Sequence, residues 1–368
     1  MKNTFGTCVC VTIFGESHGS CIGAVIDGLS PGVKLDFDLI NARMNARRAK
    51  GEVSTKRHED DKIDFVSGVK NGFTTGTPLT MLIENKNVRS GDYSKTEFLA
   101  RPGHADFSAQ CKYHGFQDGR GGGHFSGRVT AALTAAGAVC ECALINKNIL
   151  IATHIANCAG VTDRVFSDYE AEIKSLVRKV FPVLDDEAGE RMKAKIIKAK
   201  DNLDSVGGVL ETAVIGMPAG VGEPWFDTLE GIISHAVFSV PGIKGIEFGA
   251  GFAVAGLFGS ENNDEPVNKD GIVTHLTNNA GGINGGISNG MPVVFRCAVK
   301  PTPSIAKRQN TVNILTGEND IIEIQGRHDP AIIHRAAPVV TAVTAIAVCD
   351  MLSQRYGTDY FSVGGVGL

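Results

Sequence analysis

Residues 119–128 read Gly119-Arg120-Gly121-Gly122-Gly123-His124-Phe125-Ser126-Gly127-Arg128, and an apolar run of small residues follows from Val129 to Ile145. The run has helical character, and Ser126 is a natural N-cap for it. The glycines ahead of it permit positive φ and let backbone approach a ligand closely. A glycine-rich loop feeding a helix N-terminus favours anions, because unpaired N–H groups and the helix dipole point the same way. Taken alone, such a loop is equally a tight turn before a capped helix. Extending the window back to Arg101 changes the balance. Arg101 to Arg128 holds three histidines, three arginines and seven glycines in 28 residues, and begins Arg101-Pro102-Gly103-His104-Ala105-Asp106.

The wider composition is that of a soluble globular chain, with 43% hydrophobic and 21% charged residues among 368. A formal net charge of −4 gives no support to general nucleic-acid binding. Basic residues are nevertheless clustered at Arg43, Arg47, Arg48, Lys50, Lys56 and Arg57, which suits either a solvated face or the lining of an anion pocket. The nine cysteines contain no Cys-x-x-Cys pair and read as reduced, mostly buried thiols in a cytoplasmic protein without a metal site. The N-terminal apolar run is too short for a signal peptide. No apolar run is read as reaching the ~18 residues of a membrane span.

Further segments carry chemistry. Gly15-Glu16-Ser17-His18-Gly19 fits the G-x-S-x-G nucleophile elbow in letters, but it joins two strands rather than a strand and a helix. Arg43 and Arg47 lie four apart and share a helix face. Asn279 to Gly290 is dense in glycine but lacks the frame of either nucleotide fingerprint. Lys300-Pro301-Thr302-Pro303-Ser304 sets a lysine beside hydroxyls on a stiff loop. In Gly326-Arg327-His328-Asp329-Pro330, Asp329 is a plausible N-cap and Pro330 a good first helical residue. Segments rich in glycine, cations, small hydroxyls and histidine or aspartate suit a phosphorylated ligand if they converge. A serine esterase using Ser17, and a non-enzymatic flavin- or phosphate-binding module, remain open alternatives at this level.

Periodicity predicts strands over 8–14, 22–27, 63–69, 79–84, 150–156, 209–215 and 293–299. Helices are expected from Asp36 or Asp38 to near Gly51, over 129–145, through 167–204 with a break at Pro182, over 225–238, and from Asp329 to Gln354. Residues 261–269 read as an exposed loop. With no regular βαβ alternation, the expected class is α+β with antiparallel sheets.

Together the quoted segments resemble the chorismate synthase family, over nearly the whole chain: 14–19, 101–106, 121–128, 281–288, 300–305 and 326–330, in the family's order. The resemblance implies one domain spanning 1–368, with helices sandwiched between antiparallel sheets, assembled as a homotetramer. It implies conversion of 5-enolpyruvylshikimate 3-phosphate to chorismate, with loss of phosphate and a ring proton. Reduced FMN is required without net redox change, and an external flavin reductant is expected. By resemblance His18 is an acid near the departing phosphate, His104 an acid at the reduced flavin and Asp329 a base, with Ser17 and Ser126 orienting them. Arg47, Arg48, Arg101, Arg128 and Arg327 would hold substrate. His124, Phe125, Ser126, Gly285, Lys300, Pro301, Thr302, Pro303, Ser304 and Arg327 would hold FMN. The chain departs from many relatives at His124 and Phe125, where arginine and serine are common.

Overall fold

The computed structural model describes residues 2–49, 51–54, 61–86, 98–324 and 329–362. Among these, two five-stranded antiparallel sheets enclose a layer of helices. The first sheet contains β1 (Thr4–Phe5), β2 (Cys10–Gly15), β3 (Cys21–Asp27), β4 (Asp64–Ser67) and β5 (Leu79–Glu84), in the order β1-β2-β3-β5-β4. The second contains β6 (Leu150–Cys158), β7 (Val161–Thr162), β8 (Gly208–Ile215), β9 (Ile243–Phe248) and β10 (Val293–Val299), in the order β9-β10-β8-β6-β7. The helices are α1 (Phe37–Arg47), α2 (Asp106–Tyr113), α3 (Thr130–Ile145), α4 (Tyr169–Leu176), α5 (Asp186–Asp201), α6 (Leu229–Phe238) and α7 (Ile333–Tyr356). The α+β class with helices between antiparallel sheets is as the sequence predicts.

The middle layer is α3 against α7. α3 faces the first sheet and α7 the second. Both are predominantly apolar all round, as a helix covered on every side requires, and their few buried charged residues, such as Glu141 and Asp350, are hydrogen-bonded. α3 together with the turn before it (Gly127–Ile145), and α7, are each long and apolar enough to cross a membrane by length and composition, contrary to the sequence expectation, but both are buried inside the core. A single apolar cluster runs from Val11, Ile22 and Met81 through Ala135, Val139, Val343 and Ile346 to Leu210 and Val214. Inward residues of the second sheet alternate with outward ones, as a period of two requires. Ile151 and Ile155 join the main core, whereas Ala152 packs with Ala213, Phe166 and α4 on the outer face. A threonine ladder ties α7 to that sheet: Thr341 Oγ1 donates to Thr153 Oγ1 at 2.8 Å, and Thr153 bonds Thr212 at 2.9 Å.

The two core helices run in the same direction. Gly137 faces Ala342, and further along both helices Cys349 Sγ donates to the Cys140 carbonyl. α1 runs back along α3. The backbone N–H of Asp36 reaches Cys142 Sγ, and Arg43 pairs with the buried Glu141. Asp36 caps α1 as expected, accepting from the N–H groups of Asp38 and Leu39. The N-terminal segment is fastened to the far end of α7: Asp350 Oδ1 accepts from the backbone N–H of Thr7, Cys8 and Val9 at 3.0, 2.7 and 2.9 Å.

Several boundaries differ from the sequence reading. α1 ends at Arg47 rather than near Gly51, because Arg48 is extended. Residues 261–269 are not one exposed loop. They include the end of a short helix (Gly259–Asn262) and the first strand of a hairpin, Pro266–Lys269 paired with Ile272–His275. The turn is Asp270-Gly271 with positive φ at both residues, a recognised hairpin signal that the sequence reading did not use. Asp329 is not a helix N-cap. α7 starts at Ile333, its N-cap position is Ile332, and no side chain caps it.

A Cβ at Gly137 would lie 2.3 Å from both Cα and Cβ of Ala342, so the α3–α7 approach leaves no room for any side chain. Gly137→Ala should lower the urea midpoint by about 1–3 kcal/mol equivalent, the usual range for overpacking. Gly256→Ala, which meets nothing within 4 Å, serves as the control. Equal midpoints for the two variants would show that the close approach does not limit stability.

Candidate active site

The parallel packing of α3 and α7 puts both N-termini at one end of the molecule. A cavity of about 1850 Å³ opens there. Its walls include His18, Arg47, Arg48, Arg101, His104, His124, Phe125, Ser126, Arg128, Lys300, Thr302, Pro303, Ser304 and Asp329.

The floor is the glycine loop. Gly121, Gly122 and Gly123 have φ of 60°, 94° and 52°, a run of left-handed conformations that side chains rarely tolerate. Each also lacks room. A Cβ on Gly121 would come within 2.1 Å of His18 Cε1, one on Gly122 within 3.3 Å of His104 Cε1, and one on Gly123 within 1.9 Å of the Asp118 carbonyl. Two imidazoles from distant segments are thus seated against neighbouring glycines.

His18 sits in the tight connection between β2 and β3. Ser17 Oγ donates to the Arg120 carbonyl at 3.1 Å and lies 3.0 Å from His18 Nδ1. A hydroxyl has one proton, so with that proton on the carbonyl the Ser17 oxygen accepts from Nδ1–H. A hydrolase nucleophile needs the reverse, a hydroxyl donating to its histidine. Ser17 therefore orients His18, and this geometry gives no support to an esterase. Ser126 Oγ accepts the Arg128 N–H at 3.2 Å, capping a 3₁₀ turn (Gly127–Val129) that leads into α3.

His104 is held by a carboxylate. Asp106 Oδ1 accepts from His104 Nδ1 at 2.7 Å and from Arg101 Nη2 at 2.6 Å, and Oδ2 accepts from Arg101 Nε at 2.8 Å. Burial alone would raise the Asp106 pKa; the hydrogen bonds and charges of Arg101 and His104 outweigh it and hold the carboxyl well below the usual carboxylate range.

The cationic wall has a buried counter-charge. Asp61 accepts from Arg128 Nη1 and lies 3.7 Å from Arg47 Nη2 and 3.9 Å from Arg48 Nε. Among the described residues that line the cavity, arginines and lysines outnumber carboxylates. Arg335, on the first turn of α7, donates through Nη1 to Asp329 Oδ2 and through Nε to the Arg47 carbonyl at 2.9 Å. It thereby links Asp329 to the C-terminal end of α1. On the opposite side Lys300 Nζ donates to the Gly103 carbonyl. Burial, with the nearby Lys244 charge, lowers the Lys300 pKa. His124 Nδ1 lies 2.8 Å from the Gly15 carbonyl and donates to it, which directs Nε2 away from that bond.

Not every expected residue is part of this wall. Gly285 lies in the turn of the hairpin Ile283–Asn284 / Ile287–Ser288, at the start of β10, whereas Lys300 follows that strand's end. A seven-residue strand spans roughly 23 Å, at about 3.3 Å per residue, so this chain does not bring its own Gly285 to the cavity. Pro301 is exposed and does not line it. Arg327 lies outside the described residues. The sequence reading missed Asp61, Asn85 and Arg335. Arg335 follows Asp329 by six positions and could have been found as a cation in the first turn of the helix that comes after it. Asp61 and Asn85 carried no local signal.

The profile of the family described as chorismate synthase matches residues 9–353. The chain belongs to the chorismate synthase family. Curated chorismate synthases are similar throughout. That of Methanocella arvoryzae is 45% identical over 367 residues, covering 99% of this chain and 98% of its own length. That of Dehalococcoides mccartyi is 44% identical, covering 95% and 96%, and that of Aeropyrum pernix 41%, covering 96% and 93%. A solved crystal structure of chorismate synthase superposes with a TM-score of 0.75 at 27% identity, covering 96% of this chain and 94% of that one. The chorismate synthase resemblance read from the six segments is therefore correct, and the chain is an enzyme by family.

Because the Asp106 carboxyl titrates below its unfolded value of about 3.9, its contacts add stability that is fully present above that value and lost as pH falls towards the folded pKa. Asp106→Asn should lower the urea midpoint at pH 7 and lose less than the wild type between pH 5 and pH 3. A variant that acid-destabilises as steeply as the wild type would show that this cluster does not contribute.

Proposed function

We propose that this chain converts 5-enolpyruvylshikimate 3-phosphate to chorismate with reduced FMN as an unconsumed cofactor. The observation that carries the reading is the pair of imidazoles seated on Gly121 and Gly122 inside a cavity walled by arginines. The donor set fits both molecules. Arg47, Arg48, Arg101 and Arg128 offer planar cations for a phosphate and two carboxylates. His124, Phe125, Ser126, Lys300, Thr302, Pro303 and Ser304 line the same cavity with one cation, hydroxyls and apolar surface suited to a flavin phosphate and ring, and Arg327 and Pro301 are assigned to that group by resemblance. Gly285 could join it only from another copy of the chain.

Reduced FMN, if held by these residues, would supply electron density for the elimination with no net redox change. The protein's own part is binding and proton handling. His18, as an imidazolium with Nδ1–H held by Ser17, would give its Nε2 proton to the departing phosphate and be left neutral. His104, held by Asp106, presents a second acid. Asp329, oriented by Arg335, takes a proton. We extend the reading to one catalytic unit over 1–368 in the cytoplasm, supplied with electrons by an external reductant. A homotetramer would cover some of the exposed apolar side chains, Trp225, Phe226, Phe252 and Phe258 among them.

Anaerobic turnover with pre-reduced FMN should give many chorismates and phosphates per flavin; one flavin oxidised per product would overturn the reading. His18→Ala and His104→Ala should each lower turnover by roughly 10²–10⁴ with little change in FMN affinity. Asp329→Asn should lower the melting temperature, because the Arg335 ion pair is lost, and should lose turnover when assayed well below that temperature, since the amide cannot take the proton. An Asn variant of normal rate removes Asp329 from the chemistry.

A further inference from the structure

Asn85 follows the last residue of β5 and touches two parts of the site that come from different elements. Its amide Nδ2 donates to the carbonyls of Glu16 at 3.0 Å and Gly19 at 2.9 Å, the residues that bracket Ser17 and His18. Its Oδ1 accepts from Arg128 Nε at 2.9 Å. Its backbone N–H donates to the Ser20 carbonyl at 3.1 Å, closing the same turn. Both amide protons and one oxygen lone pair are thereby engaged. The opposite edge of the turn is fastened to the glycine loop by the Ser17 N–H on the Gly123 carbonyl at 3.1 Å.

We propose that Asn85 is a positioning residue that fixes the His18 turn relative to the Arg128 guanidinium, so that the proton donor and the anion-binding cation meet one substrate in register. The proposal rests on the acid role given to His18 above. The position requires an amide. Its two donors satisfy carbonyls, and its acceptor satisfies a cation; no carboxylate, hydroxyl or hydrocarbon does both. Aspartate is isosteric and separates the two halves of the role. It still accepts from Arg128 Nε but turns an oxygen towards the Glu16 and Gly19 carbonyls, releasing the turn. Alanine releases both partners.

The test is steady-state kinetics of chorismate formation by Asn85→Asp, Asn85→Ala, His18→Ala and the His18→Ala/Asn85→Asp double variant, with thermal melting of each. A displaced turn should lower kcat of Asn85→Asp by roughly 10–100-fold, the cost of misplacing a reacting group by about 1 Å. Its KM should stay near the wild-type value, because Arg128 keeps its partner. Asn85→Ala should show the same loss in kcat and also a raised KM. In the His18→Ala background Asn85→Asp should lower kcat no further, since contacting residues acting through one group are non-additive. In ligand-free protein the His18 ring C–H signal in NMR, assigned by its loss in His18→Ala, should shift in Asn85→Asp. This readout holds even if activity is too low to measure. If His18→Ala is impaired and the double variant shows the full additional loss, the coupling is overturned and the acid role stands. If His18→Ala turns over normally, the acid role falls and takes the catalytic part of this proposal with it. An identical fall in kcat and rise in KM for both Asn85 variants, tracking loss of melting temperature, would reduce Asn85 to a structural contact.

Discussion

At Gly137 the backbone of α3 comes so near Ala342 of α7 that the approach excludes even a methyl group. That contact fixes the spacing and direction of the two helices on which both sheets are laid. Because the helices are parallel, their N-terminal ends fall at one end of the core, and the partial positive charge of each adds to the other's. α1, running back along α3, delivers Arg47 and Arg48 to the same place, and Arg335 of α7 binds the Arg47 carbonyl. Helix direction thus adds to the positive charge that arginines and lysines bring to the cavity. It also explains why residues from opposite ends of the chain, such as His18 and Asp329, share one wall.

The chemistry of the site depends on a second constraint, the absence of side chains. Three consecutive left-handed glycines form a surface on which His18 and His104 rest, each with Nδ1 committed to a neighbour, Ser17 or Asp106. Imidazoles fixed through one nitrogen present the other in a defined direction, which proton transfer needs. The arginines around Asp61 obey the same economy. A buried carboxylate holds several guanidinium groups close together at the cavity wall.

The sequence made much of this legible. Strand Leu79–Glu84 and the capped helix starting after Asp36 follow directly from local pattern, since alternation and capping act over a few residues. The glycine loop and the histidine turns were visible because their residue types are unusual together. What stayed hidden is long-range. Asp61 and Asn85 gain their meaning only when β5, the β2–β3 connection and α3 meet. Asp329 looked like a helix cap because Pro330 follows it, yet its carboxylate is drawn to Arg335 and the helix begins four residues on. Gly285 shares the glycine-rich texture of the site but sits at the other end of the second sheet; texture does not report distance.

The central claim is that one cationic end of a parallel helix pair holds the substrate between His18 and the arginines. A crystal structure of the chain with 5-enolpyruvylshikimate 3-phosphate and oxidised FMN tests it most directly. The account predicts the substrate phosphate within hydrogen-bond distance of His18 and of at least one of Arg47, Arg48 and Arg128. It places the flavin ring beside His104, with its phosphate towards His124 and Lys300. Substrate density outside this cavity, or a phosphate oriented away from His18, would contradict it.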